Sequence, residues 1–200
     1  WDVDWLYRKM LVVDHSLVAE DVSGFPVLVN ISDGDLASHA QVDAGDVVFT
    51  DYFGNVLPYE IEFYENSSGE LVCWVNVSSL SASEDTVLYM YYGNSYCSNQ
   101  ENPSGVWNSN YRLVQHLDET GGSHVDSSVF GNDGTVFGGV DQDAAGVIDG
   151  SDGFDGVDDF VACGNDSSLD VGNVLTVEAW IKPSDLSGRH GIFSTRVDNV

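Results

Sequence analysis

Residues 59–77 carry the clearest strand pattern of the chain, Tyr-Glu-Ile-Glu-Phe-Tyr-Glu-Asn-Ser-Ser-Gly-Glu-Leu-Val-Cys-Trp-Val-Asn-Val. Its first part alternates, so aromatic and aliphatic residues share one face of a strand while Glu60 and Glu62 share the other. Residues 65–70 are polar and turn-forming, and a second β-rich run, Leu71–Val77, follows them. This pattern predicts a β-hairpin whose two glutamates lie on a solvated face.

Similar short runs of β-branched and aromatic residues recur along the chain, separated by Gly, Asn, Asp and Ser. We predict an all-β fold made of two tandem antiparallel β-sandwiches of jelly-roll type, the second incomplete within these 200 residues. The predicted domains are residues 1–92 and 106–200, with 93–105 as a polar linker. The predicted strands are Met10–Val13, Phe25–Ile31, Val47–Thr50, Leu57–Tyr64, Leu71–Val77, Thr86–Tyr92, Phe160–Ala162, Leu175–Lys182 and Ile192–Thr195.

The charge is strongly one-sided, with 33 Asp and Glu against 6 Lys and Arg, for a net charge of −27. Six cations cannot neutralise many phosphates, so nucleic acids and anionic membrane surfaces are excluded as expected partners. No apolar run approaches the ~20 residues of a membrane-spanning helix, so we predict no membrane span in this segment. Such a surface attracts cations or a basic partner.

The sequence lacks the motifs that carry known chemistry. It has no GxSxG, HExxH, phosphate loop or dinucleotide fingerprint, and we predict that it is not an enzyme. Its five histidines are scattered and are interpreted as structural or surface residues. No CxxC or paired-histidine spacing predicts zinc, and three cysteines allow at most one disulfide, whose pairing stays open.

Acidic residues in glycine-rich loops are the sharpest candidate site. Calcium takes six to eight oxygen ligands from carboxylates, amides and carbonyls, and such loops offer all three. We therefore predict bound Ca²⁺, with Asp126, Asn132, Asp155 and Asp158 as candidate ligands. The alternative is that these residues are only turn formers on an acidic surface.

Two further kinds of surface site are predicted. Tyr52, Tyr64 and Trp107 fall at turns or strand ends and are candidate carbohydrate-binding platforms, whereas Trp5, Trp74 and Trp180 are expected to fill cores. Four N-x-Ser sequons predict glycosylation at Asn30, Asn66, Asn76 and Asn165. Together with the acidic surface, they favour an extracellular or cell-surface protein.

Two family resemblances follow from longer motifs. Phe25-Pro-Val-Leu-Val, Asp46-Val-Val-Phe-Thr-Asp-Tyr-Phe-Gly and Leu88-Tyr-Met-Tyr-Tyr-Gly-Asn, with residues 57–62 and 72–77, resemble the DUF2341 module over about residues 1–105. Phe154-Asp-Gly-Val-Asp-Asp-Phe-Val and Leu175-Thr-Val-Glu-Ala-Trp-Ile-Lys-Pro resemble the start of a laminin-G/concanavalin-A-like jelly roll. Its pentraxin relatives imply calcium ligands at Asp198 and Asn199.

These resemblances imply β-sandwiches at a cell surface and little chemistry. We expect a non-catalytic structural or adhesive protein of an archaeal or bacterial surface layer, sheath or filament, stabilised by Ca²⁺. An incomplete second sandwich further predicts self-association with neighbouring subunits by strand exchange. The alternative is a glycan-binding accessory region of a larger secreted enzyme or adhesin.

Overall fold

The computed structural model describes residues 3–188 and 190–194, and the predicted calcium ligands Asp198 and Asn199 lie outside this range. The chain divides into two compact units. The first unit contains the residues up to 116 together with 125–132, and the second contains residues 117–124 and those from 133 onward. The chain therefore passes from one unit to the other three times.

The first unit is built from two antiparallel sheets. The elements are β1 Tyr7–Val13, β2 Phe25–Ser32, α1 Gly34–His39, β3 Val48–Asp51, β4 Val56–Leu57, β5 Tyr59–Glu65, β6 Glu70–Val77, β7 Thr86–Tyr92 and α2 Pro103–Val106. One sheet has four strands in the order β1-β7-β3-β4, and the other has three in the order β2-β6-β5. A 3-10 turn at His15–Leu17 lies between β1 and β2, α1 lies between β2 and β3, and α2 follows β7.

The two sheets share one apolar core, and the predicted all-β sandwich fold is confirmed. Alternate residues of β6, including Leu71, Cys73 and Val75, are fully buried, as alternation along a strand requires. Phe49 and Met90 from the other sheet belong to the same cluster. Cys73 and Cys97 are free thiols.

The predicted hairpin forms between β5 and β6, with Tyr59 opposite Val75 and Glu65 opposite Glu70. The register shifts between Ile61 and Phe63, leaving the intervening residue as a bulge. Gly69 in the turn has φ of +67°, and a Cβ there would lie 2.0 Å from the Asp33 carbonyl oxygen. Glycine is required at this turn because it packs directly against the start of α1.

Residues 93–105, predicted to be a linker, contact the first unit. The Asn102 amide donates to the Tyr59 carbonyl at 2.9 Å, and the Glu101 carboxylate accepts from the Ile61 amide at 2.7 Å. Since Ile61 N and Tyr59 O belong to the edge strand β5, this segment pairs groups that the sheet leaves open. The domain boundaries at 92 and 105 stay a prediction.

The second unit contains two small antiparallel pairs, β9 with β10 and β8 with β11. Its strands are β8 Thr135–Phe137, β9 Asp141–Ala145, β10 Gly150–Gly153 and β11 Phe160–Ala162, followed by a 3-10 turn at Ser167–Leu169. The strand predicted at Leu175–Lys182 does not form, because no described strand lies beside it to supply backbone hydrogen bonds. Among residues 3–188 and 190–194, no helix has the length and apolar character needed to cross a membrane.

Candidate functional site

The most concentrated chemistry in the first unit is a buried cluster around His116. Its Nε2 lies 3.2 Å from Glu60 Oε2, and its Nδ1 lies 3.4 Å from Glu62 Oε1. The side chains of Glu60, Glu62 and His116 are 10%, 7% and 14% exposed. The prediction that the two glutamates lie on a solvated face is therefore wrong, because residues distant in sequence cover that face of β5.

Three neutral donors complete the cluster. The Trp107 indole N–H donates to Glu60 Oε2 at 2.6 Å, and Ser127 Oγ donates to Glu60 Oε1 at 2.5 Å. The Trp74 indole N–H donates to Glu62 Oε2 at 2.5 Å. We call these six residues the Glu–His cluster: Glu60, Glu62, Trp74, Trp107, His116 and Ser127.

The hairpin and α2 position these side chains. Glu60 is the direct cross-strand partner of Trp74, and Glu62, two residues further along β5, is the bulge residue, so the two carboxylates lie near each other. Asn76 Nδ2 donates to the carbonyls of Gly105 and Val106 at 2.9 and 3.1 Å, which fixes the end of α2 just before Trp107. The rings of Trp74 and Trp107 then lie 5.3 Å apart.

Each charged group in the cluster stabilises the charge of its partner. Burial alone would raise the pKa of Glu60, but the positive charge of His116 and the hydrogen bonds from Ser127 and Trp107 outweigh it and hold that pKa below its ordinary value. Burial alone would lower the pKa of His116, but the two glutamates outweigh it and raise this pKa to about 10. At neutral pH Glu60 is therefore a carboxylate and His116 an imidazolium.

This arrangement is suited to holding structure together. A general acid or base needs a pKa near the working pH and a path to substrate. The pKa of His116 is about 10, far from neutrality, and its side chain is only 14% exposed. The carboxylate oxygens of Glu60 and Glu62 contact His116, the two indole N–H groups and Ser127. The cluster ties the hairpin to residues 107–116 and 127, which belong to the same unit.

The predicted calcium ligands fall into different places. Asp126 and Asn132 come together in the first unit, where Asp126 is 6% exposed and accepts hydrogen bonds from the amides of Val114, Ser128 and Asn132 at 2.7–2.9 Å. The Ser128 hydroxyl adds a fourth hydrogen bond at 2.7 Å. This carboxylate orders its own loop through protein donors.

Asp155 and Asp158 lie in the second unit and come together with Asp159, with one carboxylate oxygen of each within 4.8 Å of the others. Asp159 Oδ2 accepts from the Asp155 amide, and Asp155 Oδ1 accepts from the Val157 amide, both at 2.7 Å. We call this group the Asp155 loop. A second group, Asp14, His15 and Asp85, meets the same distance criterion, and sequence spacing does not reveal it because Asp85 lies 70 residues from His15.

The aromatic residues considered in the sequence analysis differ in their exposure. Trp107 is 6% exposed within the Glu–His cluster, and Tyr64 packs against the core, so neither offers an open ring face. Tyr52 is 65% exposed and lies edge-to-face with Phe53 at 5.5 Å. Trp180, expected in a core, is 83% exposed.

The four sequons also differ in their surroundings. Asn30 and Asn165 are exposed, and Asn66 is half-buried in the hairpin turn. Asn76 is half-buried, and its amide nitrogen, the atom that would carry a glycan, already donates to two carbonyls. The side-chain nitrogen of Asn76 is therefore a poorer acceptor for a glycan than those of Asn30, Asn66 and Asn165.

Taken together, the fold and the buried cluster define an all-β domain of the antiparallel sandwich class. Residues 43–133 match the family model described as "Domain of unknown function (DUF2341)", which confirms that resemblance for this segment. The match begins and ends later than the resemblance at residues 1–105, and it contains the whole Glu–His cluster and Asp126. No family match shows the laminin-G-type jelly roll, and neither a curated protein nor a solved structure matches the chain.

Proposed function

We propose that this chain is a non-catalytic structural or adhesive segment of an extracellular protein, of the kind that builds a surface layer, sheath or filament on an archaeal or bacterial cell. The observation that carries the proposal is the Glu–His cluster. Its charged and aromatic groups, which elsewhere form catalytic or sugar-binding sites, are here engaged with one another inside the sandwich. In this proposal they stiffen a domain that bears load.

A surface with 33 acidic residues and a net charge of −27 suits a protein surrounded by salt and divalent cations. We propose that Ca²⁺ binds at the Asp155 loop, where three carboxylates repel one another unless a cation compensates them. Binding to the folded state alone would raise stability by mass action. In this proposal the second unit is the beginning of a laminin-G-type jelly roll.

The calcium proposal is tested by thermal unfolding after EDTA treatment, with CaCl₂ or NaCl of equal ionic strength added back. We expect Ca²⁺ to raise the melting temperature by several degrees more than NaCl does. The double variant D155N/D158N should lose this difference, and Asp185→Asn, at another exposed turn aspartate, should keep it. Equal responses of all three proteins to Ca²⁺ would refute the site.

Self-association forms the second part of the proposal. The segment 174–186 has the apolar and β-branched composition of a strand, yet Val174, Trp180 and Leu186 are each more than 80% exposed. An exposed β-prone segment adds readily to the edge of another sheet. We propose that it pairs with a sheet edge of a second copy.

Light scattering across a concentration series tests this pairing. Oligomers should form in the wild type and disappear in V177D/I181D, two changes within the segment, while Val147→Asp on another exposed loop should leave them unchanged. A monomeric wild type at all concentrations would contradict strand addition and leave the structural role of the Glu–His cluster untouched.

A glycan-binding role is the second candidate function. It is favoured by the exposed Tyr52 and Phe53 pair, because aromatic faces stack on sugar rings. A glycan array distinguishes the structural role from the glycan-binding role. It is probed with the wild type and with Y52A/F53A, each with and without EDTA. Saturable binding that the double variant loses supports a lectin, and the absence of binding by the wild type supports a structural role.

A further inference from the structure

A buried histidine in the second unit lies between two carboxylates. His124 Nδ1 is 2.6 Å from Glu119 Oε2, and His124 Nε2 is 2.8 Å from Asp152 Oδ2. The side chains of His124 and Asp152 are fully buried. This trio takes no part in the Glu–His cluster or in the Asp155 loop.

The donors around His124 do not satisfy Asp152. A neutral imidazole has one N–H, and the contact with Glu119 places it on Nδ1. Nε2 then carries a lone pair, to which the Gln142 amide, 3.4 Å away, is able to donate. Neither oxygen of Asp152 receives a hydrogen bond, although one lies 2.8 Å from Nε2.

This geometry has a direct electrostatic consequence. A ring N–H aimed at a carboxylate 2.8 Å away would form a hydrogen bond, so Asp152 Oδ2 lies off the axis of Nε2. His124 Nε2 and Asp152 Oδ2 thus lie close together without a hydrogen bond between them. A buried carboxylate in that situation is costly unless a positive charge compensates it.

We propose that His124 Nε2 and the Asp152 carboxylate bind a divalent transition-metal cation. Two ligand atoms each about 2.1 Å from one ion lie about 3 Å apart when their bonds are at right angles, close to the observed separation. The Gln142 amide nitrogen donates to the Gly122 carbonyl at 3.1 Å, which fixes Gln142 as a hydrogen-bond donor beside the site, so the remaining ligands in this proposal are water molecules. An imidazole nitrogen beside a carboxylate oxygen suits Zn²⁺ or a similar metal better than Ca²⁺.

Glu119 has a separate role in this site. A carboxylate on Nδ1 fixes the tautomer that presents the Nε2 lone pair and increases the basicity of the ring. Glu119 is therefore a positioning residue, which orients His124 without contacting the ion. The arrangement of carboxylate, histidine and metal is common in proteins that hold Zn²⁺.

The fold holds these side chains in place from two separate stretches. His124 forms an isolated bridge with Gly134, with two reciprocal backbone hydrogen bonds of 2.8 Å. Asp152 lies on β10, and Gly150 on the same strand approaches the Leu117 carbonyl so closely that a Cβ would lie 2.8 Å from its oxygen. Because the ligands come from positions 124 and 152, no short spacing in the sequence indicates a metal site.

The test uses the full chain, stripped with EDTA and titrated with Co²⁺ and Zn²⁺. Co²⁺ in a site with a nitrogen ligand gives visible absorption, and ring ¹⁵N spectra report on His124 directly. We expect the Nε2 signal of His124 to shift on Zn²⁺ addition, with one Co²⁺ bound per chain at this site. Asp152→Asn should weaken this binding at least tenfold, and Glu119→Gln should weaken it about 10- to 100-fold.

His15→Gln serves as the control, because it removes the imidazole of the exposed Asp14, His15 and Asp85 group. It should leave the His124 spectrum and its response to Zn²⁺ unchanged. A His124 ring that is doubly protonated and unaffected by saturating Zn²⁺ would overturn the proposal, whatever the variants do. Co²⁺ absorption that is lost in His15→Gln and kept in Asp152→Asn would overturn it as well.

Discussion

Replacing His116 with Gln should destabilise the first unit severely. The change keeps a polar side chain but removes the only positive charge in contact with Glu60 and Glu62 within the Glu–His cluster. Both carboxylates are about nine-tenths buried, and removing one partner of a buried ion pair costs about 3–5 kcal/mol. The loss should appear as a lower free energy of unfolding.

The same cluster should make stability depend on pH in two directions. The pKa of His116 rises from 6.5 to about 10 on folding, so its contribution is complete below about pH 6.5 and is lost as pH rises toward 10. A shift of this size corresponds to about 5 kcal/mol at most. The pKa of Glu60 is lowered on folding, so its contribution is present above the unfolded pKa and is lost as pH falls through the folded value.

Urea unfolding at about pH 6 and pH 9 measures both effects. We expect the wild type to lose several kcal/mol more than His116→Gln does between these pH values, because the variant has no imidazolium to deprotonate. His190→Gln, at an exposed histidine of the second unit, should behave as the wild type. Equal pH slopes for the wild type and His116→Gln would refute the reasoning, as would an NMR titration that places the pKa of His116 near 6.5.

Three further predictions concern other parts of the chain. Gly69→Ala should cost clearly more than the ~1 kcal/mol expected for Gly54→Ala, since both have positive φ but only Gly69 has backbone atoms where the Cβ would go; chemical denaturation compares them. Expressed in a glycosylating host, the protein should carry a glycan at Asn30 and none at Asn76, and a modified Asn76 peptide in mass spectra would contradict this. The melting temperature should rise with NaCl because the net charge is −27, and a value independent of salt would count against charge repulsion.

Sequence periodicity predicted the first unit well. The strand at Thr86–Tyr92 has the expected bounds, and β2 and β6 differ from prediction by one residue each. The predicted strand Leu57–Tyr64 is divided at Pro58, which has no N–H to give to a sheet. Alternation succeeds here because each strand lies against one shared core, so that the local pattern and the packing agree.

The Glu–His cluster could not be predicted from strand alternation. Alternation assigns Glu60 and Glu62 to a common face, but it does not reveal that Trp107 and His116 cover this face from some fifty residues away. Trp74 and Trp107 offered one signal for buried glutamates, because a buried indole N–H needs an acceptor such as a carboxylate. Trp180 shows the opposite case: its apolar run predicts a buried strand, yet the side chain is 83% exposed and no described strand pairs with this segment.

The chain passes three times between the two units, and this limits which coding segments can be recombined without dividing a unit. Residues 117–124 belong to the second unit but lie within the segment that matches DUF2341. A cut at any single position from 117 to 132 divides one unit or the other. Recombination that moves the sandwich intact through residue 132 must therefore carry His124 and Glu119 with it, and so inherits part of its neighbour.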